Sequence, residues 1–244
     1  MIHYKFCNTV NMRDVGGYVT NSSEHTLSNL FIRSDYPRSI SDSEKQFFLN
    51  KNIKTIIDLR DRDTFEEKPN CFKQLPYFNV INIPLKNGDK LFNDENDYIN
   101  MLMEMVKDND AFYKIFNIFC ECKEGVLFHC AEGKERTGIV SALLLDVVDV
   151  CFEDILVDYS VSSTYFWKYS TIIKSNESTI AEKIGYSNGV IPECYIYTKP
   201  DYIEKFFELF KKLYGSTKEY IISTGITEEQ INKLKSKFIS KILS

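Results

Sequence analysis

Histidine is scarce in this sequence, and basic runs, long apolar runs and linker-type stretches are missing from it. The three histidines are His3, His25 and His129, and Cys120 and Cys122 form a CxC with no second pair at zinc-ligand spacing. No metal site is expected from such a set. Seven cysteines, an odd number, are scattered along 244 residues, which fits a reducing compartment better than a disulfide framework. The opening MIHYKFCNTVNMRD has no charged start followed by an apolar block. No secretory signal is read there, and a cytoplasmic location is expected; export without a signal would leave no such mark. The longest apolar run, 139–150, is broken by Ser141, Asp146 and Asp149, whereas a membrane span needs about 20 apolar residues. Stable membrane insertion is not expected.

The net charge is −5 and no Lys/Arg run stands out, so a nucleic-acid partner has no electrostatic support. A phosphorylated substrate stays compatible with an acidic chain whose positive charge is gathered in one pocket. Apolar residues are plentiful: they make up 43% of the chain, with 18 Phe and 15 Tyr. That composition belongs to a folded chain with a sizeable core. Neither a repeat nor a Pro/Ser-rich boundary divides it, so one domain is expected over 1–244.

Three segments read as strands. KTIIDLR (54–60) is β-branched and ends polar, NVINIP (79–84) alternates before a proline, and GVLFHC (125–130) is a short apolar run opened by a glycine. A capping box, Ser41 to Glu44, starts a helix that carries Phe47 and Phe48. The second half reads as helices. One covers 139–148, and another, 201–214, spaces Ile203, Phe206, Phe207, Phe210 and Leu213 for one face and stops at Gly215. Ser216 with Glu219, and Thr227 with Gln230, read as two more capping boxes. Buried strands followed by helices predict an α/β fold, a central mostly parallel sheet flanked by helices.

The chemistry concentrates in His129-Cys130-Ala131-Glu132-Gly133-Lys134-Glu135-Arg136-Thr137-Gly138, between the third strand and the helix after it. Such a loop aims backbone N–H groups at a helix N-terminus and forms an anion site. A cysteine at its mouth sits where its thiolate is favoured and becomes a nucleophile. An arginine at its far end can hold two oxygens of a phosphorus group with one planar fork. Five residues separate Cys130 from Arg136, enough to ring a phosphate. A loop one residue shorter would suit sulfur transfer. The Walker pattern fails, because Gly133-Lys134 is followed by Glu135 and Gly125 lies too far upstream. The competing reading is a buried inert Cys130 beside a surface Arg136.

HCAEGKERTG resembles the phosphate loop of cysteine-dependent tyrosine phosphatases, in particular the bacterial branch whose loop reads HCxxGKDRTG. Asn11-Met12-Arg13-Asp14-Val15-Gly16-Gly17, Arg33-Ser34-Asp35, Asp58-Leu59-Arg60 and the turn Gly225-Ile226-Thr227-Glu228-Glu229 resemble further motifs of that branch. The likeness runs over roughly residues 8 to 240. It implies a tyrosine-phosphatase fold and a phosphomonoester hydrolase that removes phosphate from phosphotyrosine, with phosphoserine, phosphothreonine and phosphoinositides as further candidates, through a cysteinyl-phosphate and with no cofactor. The substrate would be a phosphoprotein or a phosphoinositide, and phosphate- or vanadate-type anions would bind in the loop.

In that reading Cys130 attacks phosphorus, while Arg136 and the N–H groups from Ala131 to Arg136 (Glu132, Gly133, Lys134 and Glu135 between them) hold the equatorial oxygens. His129 orients the loop, Thr137 donates to the sulfur or caps the helix, and Gly138 closes the motif. Lys134 adds a second positive charge at the pocket rim, which in the branch accompanies phosphoinositide activity; a solvated surface lysine is the alternative. Glu135 stands where the branch has Asp. Four carboxylates compete as general acid: Asp89 in the loop after Pro84 (with Asn87 nearby), Asp61 and Asp63 after the DLR strand, and Glu135. Arg13 and Asp14, beside Gly16-Gly17, are read as packing beside the phosphate loop or as plain structure. Cys7, Cys71, Cys151 and Cys194 are read as inert, with a protective disulfide to Cys130 as the alternative. The remaining rivals are a phosphoinositide or small-molecule phosphatase with little protein activity, a silent phosphate-binding module and a sulfurtransferase.

Overall fold

A computed structural model describes residues 1–86 and 91–240. The chain opens with three short strands, β1 (Arg13–Asp14), β2 (His25–Thr26) and β3 (Phe31–Ser34). Helix α1 (Asp42–Asn50), strand β4 (Ile53–Asp58), helix α2 (Arg62–Glu67) and strand β5 (Asn79–Asn82) follow. Two helices, α3 (Glu95–Met105) and α4 (Asn109–Glu121), lead into β6 (Gly125–His129). The rest is helical: α5 (Glu135–Val147), α6 (Phe152–Tyr165), α7 (Trp167–Ser175), α8 (Glu177–Ile184), α9 (Glu193–Ile196), α10 (Pro200–Tyr214), α11 (Thr217–Ser223) and α12 (Glu228–Phe238). A last strand, β7 (Ile239–Ser240), pairs with β2.

The main sheet has the order β1-β3-β6-β4-β5, with β3, β6, β4 and β5 parallel and β1 antiparallel at the edge. The expected α/β architecture with a mostly parallel sheet is what the chain adopts. Side chains alternate strictly between its faces. Phe31, Ile57, Val126 and Phe128 enter one core, under the helices of the second half, while Ile32, Ile56 and Leu127 enter the other with Phe48, Phe72 and Phe78. Both faces are covered, so the central strands are buried and largely apolar, with Arg33, Ser34 and Asp58 as buried polar residues near their C-terminal ends. Strand β6 lies between β3 and β4 and is buried along its whole length. Its C-terminal end therefore opens into the crevice where open α/β sheets bind ligands.

Two predicted capping boxes form, Ser41–Glu44 on α1 and Thr227–Gln230 on α12. The third is only half made. Ser216 Oγ accepts from the Glu219 amide at 3.1 Å, but the Glu219 carboxylate takes the Ser216 hydroxyl at 2.7 Å rather than the Ser216 amide. Helix α10 buries Tyr202, Ile203, Phe206, Phe207 and Phe210, as its spacing predicts, whereas Leu213 is 60% exposed. Helix α5 starts four residues before the apolar run, at Glu135, so the arginine of the loop stands in its first turn. Helices α7 to α9 share a small core of their own, made by Ala181, Tyr186, Ile191 and Ile196.

Candidate active site

Residues 130–134 join the end of β6 to the start of α5. Cys130 is buried and its Sγ accepts the Gly133 amide at 3.2 Å. Gly133 takes φ +66°, and a Cβ there would stand 2.5 Å from the Ser34 carbonyl oxygen. Only glycine fits both demands. The loop's carbonyls are tied down on its outer side. The Tyr36 amide donates to Ala131 O at 3.0 Å, and Asn11 Nδ2 donates to Glu132 O at 2.9 Å and Gly133 O at 3.1 Å. None of the amides of Ala131, Glu132 and Lys134 is taken by a described acceptor. Free donors at a helix N-terminus form a ring for an anion, with a sulfur at its base.

Arg136 closes the ring. It is largely buried, and its Nη1 lies 3.1 Å from Asp61 Oδ2. Burial works against its charge, but the field of Cys130, Asp61 and Glu135 wins and raises it above the usual arginine value. His129 is fully buried at the end of β6. Its Nδ1 donates to Cys130 O at 3.0 Å, and Asn70 Nδ2 donates to its Nε2 at 3.3 Å. This pattern assigns the proton to Nδ1. Burial pushes the imidazole below its ordinary value, although Asp58 at 3.3 Å pulls the other way. Burial also pushes the Asp58 carboxyl up, but His129 and the Arg60 fork outweigh it and hold it below the usual range. The fork places Nε 2.9 Å from Oδ1 and Nη2 2.6 Å from Oδ2.

Lys134 is not the solvated surface lysine given as the alternative; it lines the cavity beside the loop but is held by protein groups. It is 3% exposed, and its Nζ donates to Cys194 O at 3.2 Å and Tyr195 O at 2.7 Å, with Glu135 Oε1 at 3.2 Å. Two carbonyls of α9 and one carboxylate absorb its donors. Glu135 is thereby engaged and faces Lys134. Thr137 also departs from expectation. Its Oγ1 is buried without a hydrogen-bond partner, and the described donor to the sulfur is the Gly133 amide. Gly138 lies inside α5, where a Cβ would meet the Tyr159 ring at 2.9 Å; its bareness serves the contact with α6. Ala131 and Glu132 are exposed on the loop's outer rim.

Of the carboxylates considered as acid, Asp61 touches Arg136, Asp63 is exposed in the first turn of α2, and Asp89 falls outside the described residues. Arg13 and Arg33 converge on Asp158 of α6, a residue with no signature in the sequence. Asp14 instead braces a turn, accepting from Tyr4 Oη at 2.9 Å and from the amides of Gly16 and Asn29 at 2.8 Å. Among the described residues no group of three His, Cys, Asp or Glu is placed to hold a metal ion. A cavity of about 190 Å³ adjoins the loop at Ala131, Glu132 and Lys134 and is closed by Arg38, Phe166, Tyr169 and Tyr195.

The structure thus sets a buried thiol at the end of a parallel strand, beside the Gly133 amide, with Arg136 in the first turn of the helix that follows. Residues 4–240 match the tyrosine phosphatase family, and the chain belongs to it. A tyrosine-protein phosphatase of Nostoc commune is 28% identical over 149 residues, 57% of this chain and 50% of that protein. The triple specificity protein phosphatase PtpB of Mycobacterium tuberculosis is 26% identical over 116 residues, 45% of this chain and 42% of that protein. This chain thus spans about half the length of the curated relatives it matches. The crystal structure of TpbA from P. aeruginosa is 18% identical, with 59% of this chain and 77% of that one covered and a TM-score of 0.34. Among the described residues no helix is long and apolar enough to cross a membrane.

Proposed function

We propose that this chain is a single phosphatase domain that hydrolyses phosphotyrosine through a cysteinyl-phosphate. The observation that carries the proposal is Cys130 Sγ seated beneath the amides of residues 131–134, with Arg136 at the ring's far side. The thiolate attacks phosphorus in line, an S–P bond forms, and the bond to the phenolic oxygen breaks. Arg136 and the loop amides hold the equatorial oxygens as their charge grows. Water then attacks phosphorus, the S–P bond breaks, and phosphate and the Cys130 thiolate are regenerated. Inorganic phosphate and vanadate compete for the same ring.

The leaving phenolate needs a proton, and we assign the donor to Asp61. In the empty site its carboxylate holds Arg136; a phosphoryl dianion would take over that arginine, and Asp61, released from the pair, would take up a proton from solvent and pass it to the leaving oxygen. A phosphotyrosine substrate is favoured over a phosphoinositide, because the extra cation that further inositol phosphates would need is spent on Cys194 O, Tyr195 O and Glu135. Phosphate release by wild type and Cys130→Ser is the test, on phosphotyrosine peptide, phosphoserine peptide and a phosphoinositide set without added metal. Turnover of the first, abolished in the variant, is expected. Folded wild type that releases phosphate from none of them would overturn the reading.

A further inference from the structure

Behind the loop, on the side away from any substrate, lies a buried polar cluster drawn from four distant parts of the chain. Arg13, Arg33 and Asp158 are each 0–1% exposed. Asp158 accepts from Arg13 Nε at 3.2 Å and from Tyr18 Oη at 3.0 Å, and it pairs with Arg33 Nη1. Burial opposes the Asp158 charge, yet the two guanidinium groups prevail and hold its carboxyl below the usual range. Arg33 is thereby fixed at one end, and its other end, Nη2, donates to Gly133 O at 2.8 Å. Arg13 Nη1 contacts the Asn11 side-chain oxygen, which turns the amide nitrogen of Asn11 toward the loop. That nitrogen reaches Glu132 O, Gly133 O and, at 3.3 Å, Ser162 Oγ.

A buried salt bridge is costly to assemble and contributes little net stability by itself. A rigid one that ends on two carbonyls of an anion loop does something a packed apolar cluster could not. Each peptide plane is rigid, so a carbonyl drawn outward sends the following N–H inward. Fixing Glu132 O and Gly133 O thus presents the amides of Gly133 and Lys134 to the ring, one against the sulfur and one toward the anion. An orientation set before the substrate arrives costs no reorganisation during the reaction.

We infer that Asn11 and Arg33, anchored by Asp158, are positioning residues that hold the phosphate loop in its anion-binding form. This rests on the phosphatase reading of the same loop. The sharp variant is Asn11→Asp. It keeps the oxygen that faces Arg13 and removes the N–H donors to the loop carbonyls. Arg33→Lys keeps a charge for Asp158 but has no second arm for Gly133 O. Ser162→Ala is the mild control, taking away one hydroxyl behind Asn11.

The experiment measures kcat and KM on phosphotyrosine peptide, vanadate Kd and thermal midpoint for wild type and the three variants. The first two variants are expected to weaken vanadate binding and lower kcat/KM by about 10- to 100-fold, with most of the loss in kcat. Ser162 Oγ accepts from Asn11 and, at 3.2 Å, from Arg13 Nη2, so Ser162→Ala is expected to stay folded with a lowered midpoint and to lose about 2- to 5-fold in vanadate affinity. Folded Asn11→Asp or Arg33→Lys with wild-type kcat and vanadate affinity would overturn the inference. Should both unfold, unchanged vanadate affinity in Ser162→Ala overturns it. Wild type that neither turns over substrate nor binds vanadate would instead sink the phosphatase reading beneath it.

Discussion

Arg136 Nη1 stands 3.1 Å from Asp61 Oδ2, and the arginine is 9% exposed while the aspartate is 59% exposed. A buried cation is thus held by a carboxylate that water and ligands can reach. Asp61→Asn is expected to cut kcat on phosphotyrosine peptide by about 10²- to 10⁴-fold, the range for a lost general acid. The loss should shrink on p-nitrophenyl phosphate, whose phenolate leaves without help. If Asp89→Asn shows that leaving-group pattern and Asp61→Asn does not, the acid is Asp89.

Removal of Lys134 should act on structure rather than on substrate choice. Lys134→Met strips the donors from Cys194 O and Tyr195 O and leaves Glu135 without its cation. A cost of about 1–3 kcal/mol is expected for the stranded groups. Phosphotyrosine and phosphoinositide activities should fall by the same factor. A selective loss of phosphoinositide turnover would show that Lys134 meets the substrate after all.

Gly133→Ala is expected to be more damaging than its size suggests. The positive φ costs about 1–2 kcal/mol for any side chain, and the Cβ must push on the Ser34 backbone. The variant should lose vanadate binding together with turnover. Titration with vanadate, beside circular dichroism to confirm folding, settles it.

His129 predicts how stability responds to mild acid. Burial holds its folded-state pKa below the ordinary value, so between that value and about 6.5 the unfolded chain binds a proton that the folded chain refuses. Stability from this residue is complete above that window and falls as pH drops through it. Asp58 and Asp158 carry the opposite displacement. Their contribution is present above about 3.9 and lost below it, so it does not overlap. Urea denaturation at pH 7, 6 and 5 should show a shallower decline in His129→Gln. An unchanged slope would place the proton uptake elsewhere.

What the sequence showed well is whatever lies contiguously along the chain. Strand, loop and helix follow one another from Gly125 to Val147, so the motif around Cys130 and Arg136 could be read as one strand-to-helix connection, and the structure folds it as one. Three of the four parallel strands, β4, β5 and β6, were legible from β-branched, alternating or apolar runs, but β3 was not, because its four residues Phe31–Ser34 end in Arg33 and Ser34 and make no apolar run. Asp158 stayed hidden because a single acid in a polar helix looks like a solvated one; only folding brings Arg13 and Arg33 to it. The partners of Lys134, Cys194 O and Tyr195 O, stayed hidden because they are backbone atoms that no side-chain pattern announces. The role for Thr137 came from the resemblance, and in the structure its hydroxyl is buried with no hydrogen-bond partner. Asp89 lies in 87–90, outside the described residues.

The loop's outer carbonyls are gripped across sequence separations of 100 to 122 residues. Contacts that distant close last, since the chain must lose the entropy of the whole intervening loop before they form. Helix α5 can form from local contacts, but β6 needs β3 and β4 beside it, and the grip on the loop's outer carbonyls waits for residues 11 and 33 to arrive. During refolding, helical signal and compactness should therefore return before vanadate affinity does. Under the proposed mechanism, competence arrives only with complete folding, and a partly assembled molecule has Cys130 in place without the loop shape that would put it to use.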